Sequence, residues 1–323
     1  MGSEVKALLG VAFAFLVGTS LAAAEERYAL IVSGAPGGAA YATTYQKWEQ
    51  QLTAALRDRL GFSPDRIEVL SGASADADQS STRPHVERAI AHLKSVAHGD
   101  DLVLVVLIGH GTADGGNAKF NLPGPDMTST DWAALLHQLP GRLVFIDTTA
   151  ASSPFLADLS ARGRIVITAT GSTAERYDTV FPAQLITALT DPAADLDKNG
   201  RVSVWELFQF VNRGVARHFD EQGLLATEHA ILDDNGDGIG ADAAAQSPSD
   251  GALARATYLE RDPAEETGDA TMTALIAKRR ALEEKAEVLR QKKSTMAPEA
   301  WEREYEQLMI ELARVSHRIR VGS

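Results

Sequence analysis

From Arg27 onward the chain alternates short, continuous apolar runs with amphipathic segments. YALIVSG (28–34), RIEVLSG (66–72), LVLVVLIG (102–109), RLVFID (142–147) and RIVITAT (164–170) are rich in β-branched residues and end in Gly or polar turns. Apolar runs without alternation mark strands covered on both faces. Between them, TTYQKWEQQLTAALRDRL (43–60), RPHVERAIAHLKSVA (83–97), DWAALLHQL (131–139) and SPFLADLSA (153–161) carry helical spacing. This repetition predicts an α/β fold: an open, mainly parallel sheet with right-handed crossovers and helices on both faces. Such sheets bind ligands beyond the C-terminal ends of their strands, near the point where strand order reverses. His110 and Thr149 fall at two such ends.

A further helix is predicted over 203–221, with Val204, Leu207, Phe208, Val211 and Val215 on one face. Residues 243–268, which begin AAAQSPSDGALARA, read as a linker closing an α/β domain over 25–242. In 269–323, Leu275, Leu282 and Leu289 recur at heptad spacing. Trp301, Tyr305, Leu308, Leu312, Val315 and Ile319 then form a second stripe, with Pro298 just inside a helix start. The pattern predicts a C-terminal helical hairpin turning near 294–297. Its stripes pack on each other, on the α/β domain or on a second copy, which would make an oligomer.

At the N-terminus, VKALLGVAFAFLVGTSLAAA (5–24) is an apolar run with one lysine that ends in small residues and precedes the charges of Glu25, Glu26 and Arg27. It reads as a secretory signal peptide over 1–24, which implies a periplasmic or secreted protein with no stable membrane insertion after cleavage. The rival reading is a retained anchor, since the run approaches spanning length. The net charge of −13 argues against a nucleic-acid partner, which requires a cationic face, and suits a protein that handles cations. The chain has no cysteine, so disulfides, thiolate metal sites and a thiol nucleophile are all excluded.

The sharpest motif is DLDKNGRVSVWE (195–206). Asp195, Asp197 and Asn199 stand at loop positions one, three and five, and Gly200 at six. Arg201 offers a backbone carbonyl at seven, Ser203 stands at nine and Glu206 at twelve. Alternate oxygens point inward, glycine permits the kink and the final glutamate binds through both oxygens, which is the pattern of an EF-hand calcium (Ca2+) loop. The helix before it, PAQLITAL (182–189), is short, so the unit reads as an isolated EF-hand-like loop built into a larger fold. A second candidate, DDNGDGIGAD (233–242), sets Asp233, Asn235, Asp237 and Ile239 at ligand spacing but has Ala244 at position twelve. It either takes ligands from elsewhere or is an Asp/Asn/Gly turn.

Taken in order, YALIVSGAPGG, LIGHG, FIDTTAASS and ITATGSTAER resemble the legumain and caspase clan of cysteine peptidases over roughly residues 27–240. The phrase TEHAILDDNGDG and the terminal hairpin are similar to bacterial legumain-like members, which extends the likeness through nearly the whole mature chain. The resemblance implies a caspase-like sheet with His110 at the catalytic histidine position and Thr149 at that of the nucleophilic cysteine. A threonine hydroxyl is far less acidic than a thiol, and an internal threonine has no terminal amine to activate it. Ser152 and Ser153 lie a turn further along, and Ser152 is placed to cap the next helix. The expectation is therefore an exported, calcium-binding pseudopeptidase that binds a peptide or protein. The alternatives are a weakly active endopeptidase using His110 with Thr149 or a nearby serine, and a structural envelope protein.

Overall fold

The computed structural model describes residues 25–99, 101–114, 117–243, 250–261 and 270–321. The signal peptide expected over 1–24 lies outside these residues, and no helix among them is long and apolar enough to cross a membrane.

The buried runs become β1 (Arg27–Ser33), β2 (Ile67–Leu70), β3 (Leu102–Ile108), β7 (Arg142–Asp147) and β8 (Arg164–Thr168), all parallel. β9 (Ile231–Asp233) and β10 (Ala241–Asp242) add antiparallel to the β8 edge, giving the order β10-β9-β8-β7-β3-β1-β2. A small antiparallel sheet of β4 (Gly111–Asp114), β5 (Asn117–Phe120) and β6 (Met127–Thr128) follows β3.

Because successive side chains point to opposite faces, the strands feed two cores. Ile31, Val106, Ile108, Val144, Ile146 and Ile167 meet α1 (Ala39–Ala54), α5 (Phe181–Thr190) and α6 (Val204–Glu221) on one face. Leu30, Val105, Leu107 and Phe145 meet α2 (Arg83–Val96), α3 (Ser129–Leu136) and α4 (Ser153–Leu159) on the other. Phe145 stacks on Phe155 and lies edge-on to Trp132, so truncating it costs about 3–5 kcal/mol. β1 runs to β2 on one side and has β3 on the other, so strand order reverses there and a crevice opens at the C-terminal ends of β1 and β3.

The expected linker differs from the structure over 250–261. These residues include α7 (Ala252–Ala256), and Ala254 and Leu259 enter the α6 core. Asp234 receives the Gly251 and Ala254 amides at 2.8 Å each, while Thr257 accepts from the Val204 amide. The Pro/Ser/Gly composition suggested looseness, but the segment is held by these polar anchors. Residues 244–249 and 262–268 lie outside the described residues. In the hairpin of α8 (Ala270–Gln291) and α9 (Pro298–Val321), Leu275 and Leu282 pack with Leu308, Leu312, Val315 and Ile319, so the two stripes meet each other.

Candidate functional site

β3 ends at Ile108, and His110 follows on the α1 face of the sheet. Its ring meets the edge of Tyr41 at 4.5 Å and of Tyr45 at 5.8 Å between centroids. Its Nδ1 lies 3.5 Å from Asp178 Oδ1, and the Tyr41 hydroxyl donates to Asp178 Oδ2. A Tyr–Asp–His cluster thus joins α1, the β3 tip and the loop after β8. Burial raises the Tyr45 phenol far above its ordinary value, and the bond to Asp178 raises that of Tyr41.

One strand over, β7 ends at Asp147. Thr148 donates to the Leu107 carbonyl at 2.7 Å, and the Thr149 amide donates to Asp147 Oδ1 at 2.9 Å. Thr149 has no solvent exposure, and its hydroxyl donates to the Ala150 carbonyl at 3.3 Å. Gly111 sits directly against it: a Cβ there would fall 2.5 Å from Thr149 Oγ1 and 2.3 Å from the Ala150 carbonyl oxygen. His110 and Thr149 are therefore at neighbouring strand tips, but the histidine is engaged with Asp178 and the tyrosines while the hydroxyl is enclosed. A hydroxyl nucleophile needs an imidazole within about 2.6–3.2 Å and a path for substrate.

The loop between β8 and α5 is bonded to the main chain on both sides of Thr149. The Glu175 carbonyl accepts from the Ala151 amide at 2.9 Å, and Thr179 donates to the Thr148 carbonyl at 2.5 Å. Glu175 Oε1 pairs with His229 Nδ1 at 2.8 Å, and its Oε2 accepts from the Gly171 amide at 2.9 Å. Ser152 is also fully buried; its amide and hydroxyl bond Thr170 Oγ1 at 2.8 and 3.0 Å rather than capping α4. Ser153 is the first residue of α4. Arg176 donates to the Thr173 carbonyl and Ser172 accepts from the Ala174 amide, both within the loop itself. Asp147 is wholly buried with Oδ2 unpartnered, and burial pushes its carboxyl up to about 7.

The acidic loop 195–206 brings Asp195, Asp197 and Glu206 together, with one oxygen from each within 4.8 Å of the others. Lys198 and Gly200 take left-handed backbone at φ 61 and 90. Asp195 accepts from the Asn199 and Gly200 amides, Asp197 Oδ1 from the Asn199 amide, and Asn199 Oδ1 from the Arg201 amide. These bonds fold alternate oxygens inward. Ser203 and Glu206 form a capping box at the start of α6. Burial first, then the charges of Glu206 and Asp195, raise the Asp197 carboxyl. Three converging carboxylates with Asn199 beside them make a hard-oxygen donor set apt for Ca2+. Glu206 Oε1 accepts from the Leu196 and Asp197 amides, and Oε2 from the Ser203 amide and hydroxyl. All four lone-pair directions of that carboxylate are thus engaged, so a cation would displace some of these donors. The Arg201 side chain stacks on Tyr258 at 3.8 Å.

In the second loop, Asp233 is fully buried. Its Oδ1 accepts from the Gly236 amide, and its Oδ2 from the Gly238 amide and the Ser160 hydroxyl. Asn235 bonds Asp237 through both its amide nitrogen and its carbonyl, and the Ile239 amide donates to Asp237. Position twelve, Ala244, lies outside the described residues. Among the described residues, Asp195, Asp197 and Glu206 are the group of three acidic or imidazole side chains that converges on a metal-sized space.

Tyr41, Asp178 and Glu228 have no sequence signal marking them as site residues. Glu228 Oε1 accepts from the Val180 amide at the start of α5, and burial pushes its carboxyl up to about 7. Tyr41 and Asp178 are 137 residues apart, and only the sheet topology brings them to one edge.

No family model matches the chain, and no curated protein does. Among solved structures it is similar to caspase-1 from Spodoptera frugiperda, at 10% identity and TM-score 0.43, covering 65% of this chain and 86% of that one. It is similar to drICE at 15% identity and TM-score 0.40, covering 67% and 90%. A Geobacter sulfurreducens protein matches at 13% identity and TM-score 0.42, covering 64% and 92%.

Proposed function

We propose that this chain is an exported calcium-binding protein of the caspase and legumain type that recognises a peptide or protein at its sheet edge and does not cleave it. One observation supports the non-catalytic reading: Thr149 has no solvent exposure, packs against Gly111 and has its hydroxyl bonded to the Ala150 carbonyl. His110 pairs instead with Asp178 and the Tyr41 ring. The partly exposed ring of Tyr41 on the His110–Asp178 pair, and exposed Tyr177 next to Asp178 in the chain, supply aromatic surface of the kind on which partner recognition concentrates. The acidic balance of the chain favours a cationic partner. Calcium in the 195–206 loop neutralises three mutually repelling carboxylates and braces the start of α6.

The test is incubation with a diverse peptide library in calcium, for the wild type and His110→Ala. The reading expects no cleavage from either; cleavage by the wild type that His110→Ala abolishes would establish the endopeptidase instead. Thr149→Cys introduces the sole thiol of the chain, so its alkylation reports accessibility without background. Slow labelling in the folded protein and fast labelling in denaturant is the expected result.

A further inference from the structure

α9 carries apolar side chains beyond the stripe it gives to α8. Leu308, Leu312, Val315 and Ile319 pack on α8, while Met309 and Ala313 stand one residue, about 100°, further round the helix. With Ile310 and the rings of Trp301 and Tyr305 they line an open apolar depression on α9, edged by Glu302 and Glu306. The two rings stack with centroids 4.7 Å apart, and the Trp301 indole donates to the Leu289 carbonyl of α8 at 2.6 Å, which fixes one end of the depression. Ile310 is 44% exposed and Ala313 is exposed as well. Among the described residues, α9 packs chiefly on α8. An exposed apolar face on a long helix marks a contact surface.

The charges on α9 say what covers this face. Glu299, Glu302, Glu304 and Glu306 outweigh Arg303 in its first half, and Arg314, His317 and Arg318 follow in its second, where Glu311 pairs with Lys278 of α8 at 2.7 Å. Acids early and bases late also suit the helix dipole, but that effect fades within the terminal turns, and Glu306 and Arg314 stand well inside Pro298–Val321. A second α9 laid antiparallel sets acidic half against basic half, whereas a parallel copy sets like charge on like. A twofold axis level with Glu311 places Met309 opposite Ala313 of the second copy, large against small, and Glu306 between Arg314 and His317. We propose that the chain self-associates through α9, two copies pairing antiparallel about a twofold axis so that their hairpins form a four-helix bundle. This contact depends on neither the calcium loop nor Thr149.

Sedimentation equilibrium of the full chain over a range of protein concentration tests this. The expected result is a monomer–dimer equilibrium that weakens as salt is raised. Ala313→Glu puts bulk and charge at the centre of the seam and is expected to raise the dissociation constant at least about tenfold. Glu306→Lys and Arg314→Glu are each expected to weaken association alone. Mixed in equal amounts they are expected to restore it, because each reversed charge then meets its opposite on the other copy. Residues 306, 313 and 314 are all exposed in the single chain, so these variants keep the fold. Mass that stays monomeric or exceeds a dimer, a dimer that Ala313→Glu leaves unchanged, or mixed variants that associate no better than either alone would overturn the proposal.

Discussion

Loops 195–206 and 233–239 share a backbone pattern. Gly200 donates to Asp195 Oδ2 as Gly238 donates to Asp233 Oδ2, and the amide at position five bonds the side chain at position three in both. Positions four and six are left-handed in each: Lys198 and Gly200 in the first, Gly236 and Gly238 in the second. The two differ in what faces the turn. Asp233 is packed against Ser160 and its neighbour Asp234 anchors α7, whereas Asp195 and Asp197 face a third carboxylate, Glu206, across a space for a cation. Alternating Asp, Asn and Gly residues therefore dictate the turn through local side-chain bonds. A glutamate delivered by the following helix adds the third carboxylate.

The strongest way to break this comparison is to remove the first aspartate of each loop. Asp233→Ala removes the buried acceptor of the Gly236 and Gly238 amides and the Ser160 hydroxyl, and leaves the Gly238 amide only its bond to Ser160 Oγ. It is expected to cost about 3 kcal/mol in denaturant unfolding, equally with calcium or with chelator. Asp195→Ala is expected to cost stability chiefly when calcium is present. Equal responses of the two variants to calcium would mean the loops are alike.

Next in size is calcium itself. At a hundredfold excess over Kd, ligand binding stabilises the folded chain by about 2.7 kcal/mol. That corresponds to a rise in Tm of roughly 5 °C. Glu206→Gln is expected to erase this rise, since it removes the charge that distinguishes the first loop.

A third buried acid sharpens the point. Asp147 accepts from the Thr149 amide and has Oδ2 unpartnered, and its carboxyl titrates at about 7 in the folded state against 3.8 for the ordinary group. The folded state then holds more protons than the unfolded one between about pH 4 and 7, so this group's contribution is complete at the acid end and is lost as pH rises through 7. Asp147→Asn is expected to flatten that part of the stability profile, and an unchanged slope would contradict the assignment. The smallest effect belongs to Asp237→Ala, which touches an exposed turn and is expected to shift stability by less than about 1 kcal/mol.

The strands were legible because β-branched runs such as LVLVVLI need cover on both faces, and the hairpin because Leu275, Leu282 and the α9 stripe keep helical spacing. The convergence of Asp195, Asp197 and Glu206 was legible because all three lie within twelve residues. The sheet of β4 to β6 was not, since NAKF and Met127–Thr128 are too short to show a period, although Ala118, Phe120 and Met127 are buried. α1 starts at Ala39, ahead of the expected 43, where small residues give no polar start signal. The bracing of the Thr149 strand tip was hidden for another reason: the Glu175 carbonyl and the Thr179 hydroxyl that bond its flanking main chain lie far along the chain, and main-chain contacts leave no residue-type signature.

The most direct measurement is calcium stoichiometry by equilibrium dialysis on the full chain, alongside Glu206→Gln and Asp237→Ala. One ion per wild-type chain, none in Glu206→Gln and one in Asp237→Ala is the predicted result. No ion in the wild type, or a site that survives in Glu206→Gln and disappears in Asp237→Ala, would contradict the account.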